Sequence, residues 1–487
     1  MKKSSVALAV GSILAAAAAS NASANSYTIY VSGSSAARSF FESELGFVCS
    51  GSHTAPAKWT VLNSVAPGGL VPVAYPDIEA PQCTVTSLAG IPGGSSLTIG
   101  DVLTMQYAAE LGSVWGIAPF VPGNQAANGR EFLDVTNAAV CPASPGVCTV
   151  LAYSRQNDTA SSGLAARVPI DIGVSDAEPP LWASPDNWPL TSASGLSYPV
   201  LGDAITQAQP TAAQLSTLAS SFTQLNGQVF TVIVNNSAPL NTLTNLSSAS
   251  LRSIFVGKYT NWGQVAEVGS AGSGTPITIC RRDHGSGTQV TASLNYTGNE
   301  CGQSVGTFVR LANGSVARAL GSLKSNQVLE NATTNDLTAC VTSTTGAIGI
   351  RSLSAATTYT TLKIDGVEAN AHNAASGVYP TGYDIQFHKG STATGGNADL
   401  VTAILTDAQT IAALPAEGGS LSSGLVWSMG GAFNSQGGKA NYGGQYDGGG
   451  SAKPSITSNW GITSSAPEAL YNQAGTSCNI KINATAP

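Results

Sequence analysis

The chain has 487 residues and a formal net charge of −7, and only 10% of its residues are charged. Binding to a nucleic-acid backbone needs clustered lysine and arginine, so this composition argues against a nucleic-acid partner. A chain of this length exceeds one ordinary hydrophobic core, and we expect two domains.

The first 24 residues have the layout of a secretory signal peptide. Lys2 and Lys3 precede an apolar run that ends in Ala-Ser-Ala before Asn25. The run is short for a transmembrane anchor, and no cysteine follows it that would carry a lipid. We expect cleavage after Ala24 and a mature protein in the periplasm or outside the cell, with a net charge of −7 − 2 = −9.

Eight cysteines in an exported chain predict disulfide bonds. No C-x-x-C pair is present and the four histidines are scattered, so the spacing predicts no metal site. We expect Cys141 to pair with Cys148, and Cys280 with Cys301, although spacing does not fix connectivity. The candidate disulfide cysteines are Cys49, Cys83, Cys141, Cys148, Cys280, Cys301, Cys340 and Cys478.

Strand and helix patterns alternate along the chain. In the first half, a strand over 27–33 precedes a helix, a loop-heavy segment covers 50–100, an extended segment opens 101–120, and a buried strand opens 168–182. In the second half, strands are predicted over 227–236, 345–353 and 383–390, helices over the start of 249–265 and over 398–414, and a strand, turn and helix over 275–296. A Gly/Ser-rich tail follows residue 415.

This alternation predicts an α/β fold with mainly parallel sheets. Ligands of such folds lie at the carboxyl ends of the strands. Four turns that follow predicted strands are rich in Gly, Ser, Asp or Arg, and they cover 32–38, 112–116, 173–178 and 281–288.

The turn over 281–288 has the residues of an anion site. Its glycines expose backbone N–H groups, and a helix N-terminus adds partial positive charge. Ser286 and Thr288 add hydroxyl donors, and Arg282 adds a planar guanidinium that matches a tetrahedral oxyanion. These residues suit phosphate or sulfate. The alternative is an ordinary glycine turn with solvated arginines.

Asp176 follows a buried strand in GVSDAEPP. A carboxylate beside a bound dianion repels it unless the ligand carries a proton to donate, and hydrogen phosphate has such a proton whereas sulfate has none. The pattern favours selective phosphate binding. The alternative is that Asp176 caps the next turn.

Several blocks occur in an order typical of one family. They are YVSGSSAARSF, DIGVSDAEPPL, GQVFTVIVNNSAPL, LRSIFVGKYTNWGQV, ITICRRDHGSGTQVTASLNY, TGAIGI and YDIQFHKG. With them the chain resembles the phosphate-binding proteins of bacterial phosphate ABC transporters, a branch of the two-lobed periplasmic binding proteins. The blocks cover about 27–45, 168–182 and 227–415.

The resemblance implies a set of ligand-binding residues. The first loop would donate backbone N–H groups from Ala37 and Arg38 and a hydroxyl from Ser34 or Ser35. Asp176 would accept the ligand proton, and Arg282 would pair with the anion. Ser113 is our choice for a further serine, with Ser162 as the alternative. The implied phosphate-binding residues are Ser34, Ser35, Ala37, Arg38, Ser113, Asp176, Arg282, Ser286, Gly287 and Thr288.

The chain also departs from the family pattern. The family usually has threonine where Ala37 stands and an aromatic residue where Arg38 stands, so a second cation is expected near the ligand. His284 replaces the acid that steadies the arginine, and Asp283 would take that role. His284 would make affinity pH-dependent, or it points to solvent. Residues 46–167 form a long insertion.

We therefore expect a monomeric, non-catalytic protein with two lobes and no cofactor. It would bind inorganic phosphate or a related oxyanion, for uptake through an ABC transporter membrane complex or for scavenging. The alternatives are a surface or matrix protein with the same fold, or a secreted phosphatase. The expected parts are a signal peptide over 1–24, lobe one over 25–228 and 384–487 with the Gly-rich extension, and lobe two over 229–383.

Overall fold

The computed structural model describes most of the two predicted lobes. The described residues are 24–61, 78–109, 112–121, 129–130, 132–148, 168–177, 179–183, 187–188, 210–255, 257–282, 285–292, 308–310, 316–318, 327–331, 334–353, 358–369, 373, 379, 382–408 and 426–428. The predicted signal peptide and Gly-rich tail lie almost wholly outside these residues.

The first strand and helix form where the sequence predicts them. Strand β1 spans Ser26–Gly33 and helix α1 spans Arg38–Ser50. The apolar residues at helical spacing lie on the buried face of α1, and they are Phe40, Phe41 and Leu45. Burial of this face against the sheet fixes the direction in which α1 leaves the turn after β1.

Parallel strands flank β1 on both sides. Strand β4 spans Val102–Ala108 and pairs with the whole length of β1. Strand β6 spans Ile172–Ser175 and pairs with its other edge. The carboxyl ends of β1, β4 and β6 therefore lie at one edge of the sheet.

Residues within 46–167 add further strands beyond β4. Strand β3 (Ile78–Thr84) is antiparallel to β4, and β2 (Lys58–Val61) is antiparallel to β3. A short β5 (Val147–Cys148) is parallel to β2. The segment that the sequence predicts as loop-heavy thus extends the sheet at its edge.

One long strand belongs to both halves of the sheet. Strand β7 spans Thr223–Asn235, and it pairs first with β16 (Gly382–Lys389) and then with β13 (Ala347–Ser352). Both pairings are antiparallel, and β16 also pairs with β6. The two halves are therefore joined through β7, in the segment that gives the strongest strand signal in the sequence.

The second half of the sheet is parallel at its centre and antiparallel at its edge. Beyond β13 lie β9 (Thr278–Arg282) and β12 (Val328–Asn331), both in parallel register. Strands β11 (Val316–Arg318) and β10 (Phe308–Arg310) follow in antiparallel register. The short remaining strands are β8 (Asn245–Leu246), β14 (Tyr359–Thr361), β15 (Lys363–Ile364) and β17 (Val426–Ser428).

Five more helices follow α1 in the part of the chain that the structure describes. The sequence predicts three of them but not α2 or α5. Their bounds are α2 (Ala212–Ala219), α3 (Ser248–Phe255), α4 (Gly287–Ala292), α5 (Thr334–Ser343) and α6 (Gly395–Ala408). Helix α6 packs against α1 and β1. None of the described helices combines the length and apolar character needed to cross a membrane.

Three disulfides lie within the described residues. The predicted bond between Cys141 and Cys148 is confirmed. The predicted pairing of Cys280 with Cys301 is wrong, because Cys280 on β9 bonds to Cys340 on α5. This bond is reachable because α5 packs directly on β9. Cys49 bonds to Cys83, which ties α1 to β3. Cys301 and Cys478 lie outside the described residues.

Candidate anion-binding site

The predicted ligand turns from both halves of the sheet meet at one place. The turn after β1 is held to the end of β6, because the N–H of Ser34 donates to the carbonyl of Val174 at 2.9 Å. The 3₁₀ turn Gly112–Gly116 reaches the turn after β9, because the N–H of Val114 donates to the carbonyl of Gly285 at 2.9 Å. The turns after four strands, β1, β4, β6 and β9, thus lie close together.

Glycine permits two of these approaches. Gly33 has a φ of 132°, and a Cβ there would lie 2.8 Å from the carbonyl carbon of Val174. A Cβ on Gly287 would lie 2.5 Å from Cγ of Asp176 and 2.8 Å from Oγ of Ser113. Both distances are too short for any side chain, so the Asp176 carboxyl lies directly against the backbone of Gly287.

Asp176 is the central charged group of the site. It is only 2% exposed, and the Ser113 hydroxyl donates a hydrogen bond to its Oδ1. Burial raises the pKa of Asp176 above its usual value, while the Ser113 hydroxyl, the Arg282 charge and the Ser34 hydroxyl each oppose that rise. The surroundings therefore include groups that favour the ionised carboxylate, within a site whose burial disfavours it.

Arg282 lies at the carboxyl end of β9 and is 2% exposed. Its Nη1 donates to Oγ1 of Thr334 at 3.0 Å, and its Nε donates to the carbonyl of Asn331 at 3.3 Å. The Oγ of Ser35 lies 3.4 Å from the same Thr334 hydroxyl. Thr334, the first residue of α5, therefore links the arginine of the second half to the turn of the first half.

Arg38 and Ala37 open α1. Ala37 is buried at the N-cap position of the helix, without a side-chain cap. The Arg38 guanidinium faces Glu79, with 3.5 Å between Nε and Oε2. Lys58 also contacts Glu79 and donates to Glu42 at 2.9 Å. The second cation expected near the ligand is thus paired with a carboxylate of β3.

The remaining predicted residues follow β9. Ser286 and Thr288 are buried, and the Ser286 carbonyl accepts hydrogen bonds from the backbone N–H groups of Gln289 and Val290. Asp283, His284 and Ser162 lie outside the described residues. The structure therefore brings together Ser34, Ser113, Asp176, Ser286 and Gly287, with Ser35 and Arg282 meeting at Thr334, and their roles in binding stay predictions.

Sequence reasoning missed three residues that shape the site. The Tyr107 hydroxyl donates to the Ser34 carbonyl at 2.6 Å, and the Asn187 carbonyl accepts from the N–H of Gly285 at 2.9 Å. Thr334 is the third. Only Thr334 has a local signal, because it stands in the Thr-Thr-Asn-Asp run over 333–336, which is typical of a helix start.

Residues 227–403 match the model of a family described as a PBP superfamily domain. The match covers 177 of the 487 residues, which is about a third of the chain. It begins inside β7 and ends inside α6, and it includes Arg282 and Gly287. The predicted α/β architecture is confirmed, with parallel centres in both halves and antiparallel edges. No curated protein matched the chain.

Solved structures show partial likeness to this chain. A crystal structure of an ABC-type phosphate transport receptor from Vibrio cholerae is 18% identical, with a TM-score of 0.26, and the match covers 38% of this chain and 66% of that one. PstS from Borrelia burgdorferi is 12% identical, with a TM-score of 0.27, covering 50% and 74%. PfluDING, a high affinity periplasmic phosphate-binding protein bound with phosphate, is 14% identical, with a TM-score of 0.35, covering 56% and 80%.

Proposed function

We propose that the protein is a non-catalytic binding protein for hydrogen phosphate. The ligand would lie between two lobes, at the meeting point of the turns after β1, β4, β6 and β9. The lobe bounds would be those predicted from the sequence, with closure about β7 and β16. Export by the N-terminal signal would place the protein in the periplasm or outside the cell, as a monomer that serves an ABC transporter or scavenges phosphate.

The single observation that carries this proposal is the surroundings of Asp176. The carboxyl is buried, accepts a hydrogen bond from the Ser113 hydroxyl and interacts electrostatically with Arg282. It therefore lies among donors that suit an oxyanion. Such a carboxylate accepts a proton from hydrogen phosphate but meets only lone pairs on sulfate. An unpaired buried acceptor costs free energy, so the site would reject sulfate.

The test is calorimetric titration of the mature protein with phosphate and with sulfate, after removal of co-purified phosphate. The wild type should bind phosphate tightly and sulfate weakly. Asp176→Asn should narrow that ratio, because an amide N–H can donate to sulfate. Asp365→Asn is the matched control, because Asp365 is an exposed residue that bonds to Ser248 on α3 and should leave the ratio unchanged.

Three results would contradict the proposal. Absence of binding for both anions would remove the phosphate assignment and favour a structural role outside the cell. Equal binding of phosphate and sulfate by the wild type would retain an anion site but remove Asp176 as the selective acceptor. Turnover of a phosphate ester, lost in Asp176→Asn, would show an enzyme instead.

A further inference from the structure

A second buried polar cluster lies outside the anion site, where α1 packs against α6. It contains Glu44 of α1, His53 of the following loop and Asp407 at the end of α6. The His53 Nε2 atom lies 2.7 Å from Oδ2 of Asp407 and 3.8 Å from Oε1 of Glu44. One ligand atom from each residue lies within 4.8 Å of the other two.

The loop that carries His53 is held in place by three contacts. The imidazole stacks on the Phe47 ring, with centroids 4.4 Å apart and planes at 12°. The Ser43 hydroxyl donates to the His53 carbonyl at 3.1 Å. Gly46 allows the loop to approach α1, because a Cβ there would lie 2.8 Å from the carbonyl carbon of Thr54. The imidazole is therefore oriented before any ligand arrives.

Glu44 supplies the independent sign of a missing ligand. It is fully buried, and neither of its oxygens has a hydrogen-bond partner among the described residues. Buried polar groups are normally hydrogen-bonded or coordinate a metal, so a buried carboxyl without a hydrogen-bond partner, beside Asp407 and His53, indicates a site for a cation.

We propose that Glu44, His53 and Asp407 bind one divalent transition-metal cation of the zinc class. Imidazole nitrogen and carboxylate oxygen are both zinc ligands, at about 2.0–2.2 Å, and three protein ligands leave a fourth position for water. Imidazole also favours zinc-like ions over Mg²⁺ and Ca²⁺, which prefer oxygen ligands alone.

The present distances are close to those that a cation requires. Tetrahedral bonds of that length separate ligand atoms by roughly 3.3–3.5 Å. The distance between His53 and Asp407 would lengthen from 2.7 Å, and that between His53 and Glu44 would shorten from 3.8 Å, each by well under an ångström. Metal ligands of this kind bind a cation only when they carry no proton at the donor atom, so metal binding should weaken as the pH falls.

Sequence spacing could not reveal this site, because His53 and Asp407 are 354 positions apart. The expectation of no metal rested on motifs with close ligand spacing. A cation here would tie α1, its following loop and α6 together. The inference is independent of the proposed phosphate function.

The experiment uses untagged, chelator-treated mature protein in phosphate-free buffer, dialysed against Zn²⁺ and analysed for metal per chain. One tightly held equivalent is expected, with a rise in unfolding temperature. His53→Gln, Asp407→Asn and Glu44→Gln should each lose that equivalent and that rise. Asp399→Asn, on the same helix, should keep both, because Asp399 bonds to Ser96 away from the cluster.

Glu44→Gln also separates metal loss from misfolding. Glutamine has the shape of the carboxylic acid that burial favours, so this variant should show the near-ultraviolet circular dichroism of the metal-free wild type. Co²⁺ should give the strong visible absorption of a four-coordinate site in the wild type only. Binding that survives in all three cluster variants, or a preference for Ca²⁺ or Mg²⁺ over Zn²⁺, would overturn the proposal. So would the absence of a tightly held equivalent in the wild type.

Discussion

The contact between Gly287 and Asp176 leads to a quantitative prediction for Gly287→Ala. The added methyl carbon would lie 2.5 Å from Cγ of Asp176, whereas unstrained carbon atoms are about 3.5 Å apart. The carboxyl would have to withdraw by more than about 3.5 − 2.5 = 1.0 Å, because its Oδ1 lies nearer to the added carbon than Cγ does. Overpacking of this kind costs about 1–3 kcal/mol. In the free protein the carboxyl can withdraw and relieve the overlap, whereas the bound ligand would hold it in place, so the cost falls on binding. At about 1.4 kcal/mol per tenfold, phosphate affinity should fall roughly 5- to 150-fold.

Calorimetric titration with phosphate, beside a thermal unfolding curve of the ligand-free protein, measures this effect. Gly93→Ala is the matched control, because a Cβ there has no heavy atom within 4 Å and Gly93 lacks a positive φ. The control should bind as the wild type does. Wild-type affinity in Gly287→Ala would refute the reasoning, because it would mean that Asp176 and Gly287 do not stay in contact when the ligand is bound.

Four further predictions concern protons, hydroxyls and the disulfide. Ser113→Ala removes a hydrogen bond to the buried Asp176 carboxyl, and such a bond to a charged acceptor is worth about 1.5–3 kcal/mol. Calorimetric titration should show that both the phosphate affinity and the selectivity over sulfate fall. The folded-state pKa of Asp176 is raised, so the free energy of unfolding falls as the pH rises above about 3.9, the value of an unfolded aspartate. Asp176→Asn removes this loss and should raise the unfolding temperature of the ligand-free protein at neutral pH. Burial raises the pKa of Glu42 to about 7, so its contribution to stability falls between about pH 4.3 and pH 7, and melting curves should show Glu42→Gln gaining on the wild type over that window. Cys280→Ser and Cys340→Ser should be equally destabilised, by about 4 kcal/mol for a separation of 60 residues, in denaturant titrations.

Local patterns predicted the elements that the site depends on. β1 and α1 carry alternating and helical apolar spacing, and the strand over 227–236 became the shared strand β7. Asp176 and Gly287 were identified because each stands in a polar turn directly after a strand. The contact between them follows from the parallel arrangement, which gathers strand ends at one edge.

Contacts between distant segments could not be predicted in this way. Cys301 is nearer to Cys280 in sequence than Cys340 is. The packing of α5 on β9 nevertheless brings Cys340 into bonding distance of Cys280. Arg38 stands beside the ligand turn in sequence, yet its side chain turns to Glu79 of a strand that the sequence pattern did not resolve. The same limit applies to Thr334, since nothing near it in sequence points to Arg282.

Helix α1 takes part in two polar clusters outside the anion site, one around Glu42 and Lys58 and one around Glu44 and His53. Glu42 on α1 accepts hydrogen bonds from Lys58, whereas Glu44 on the same helix faces His53 and the end of α6. The helix begins at Arg38, directly after the turn that is expected to supply N–H groups to the anion. Because residues two apart on a helix point to different sides, the clusters hold α1 from two directions.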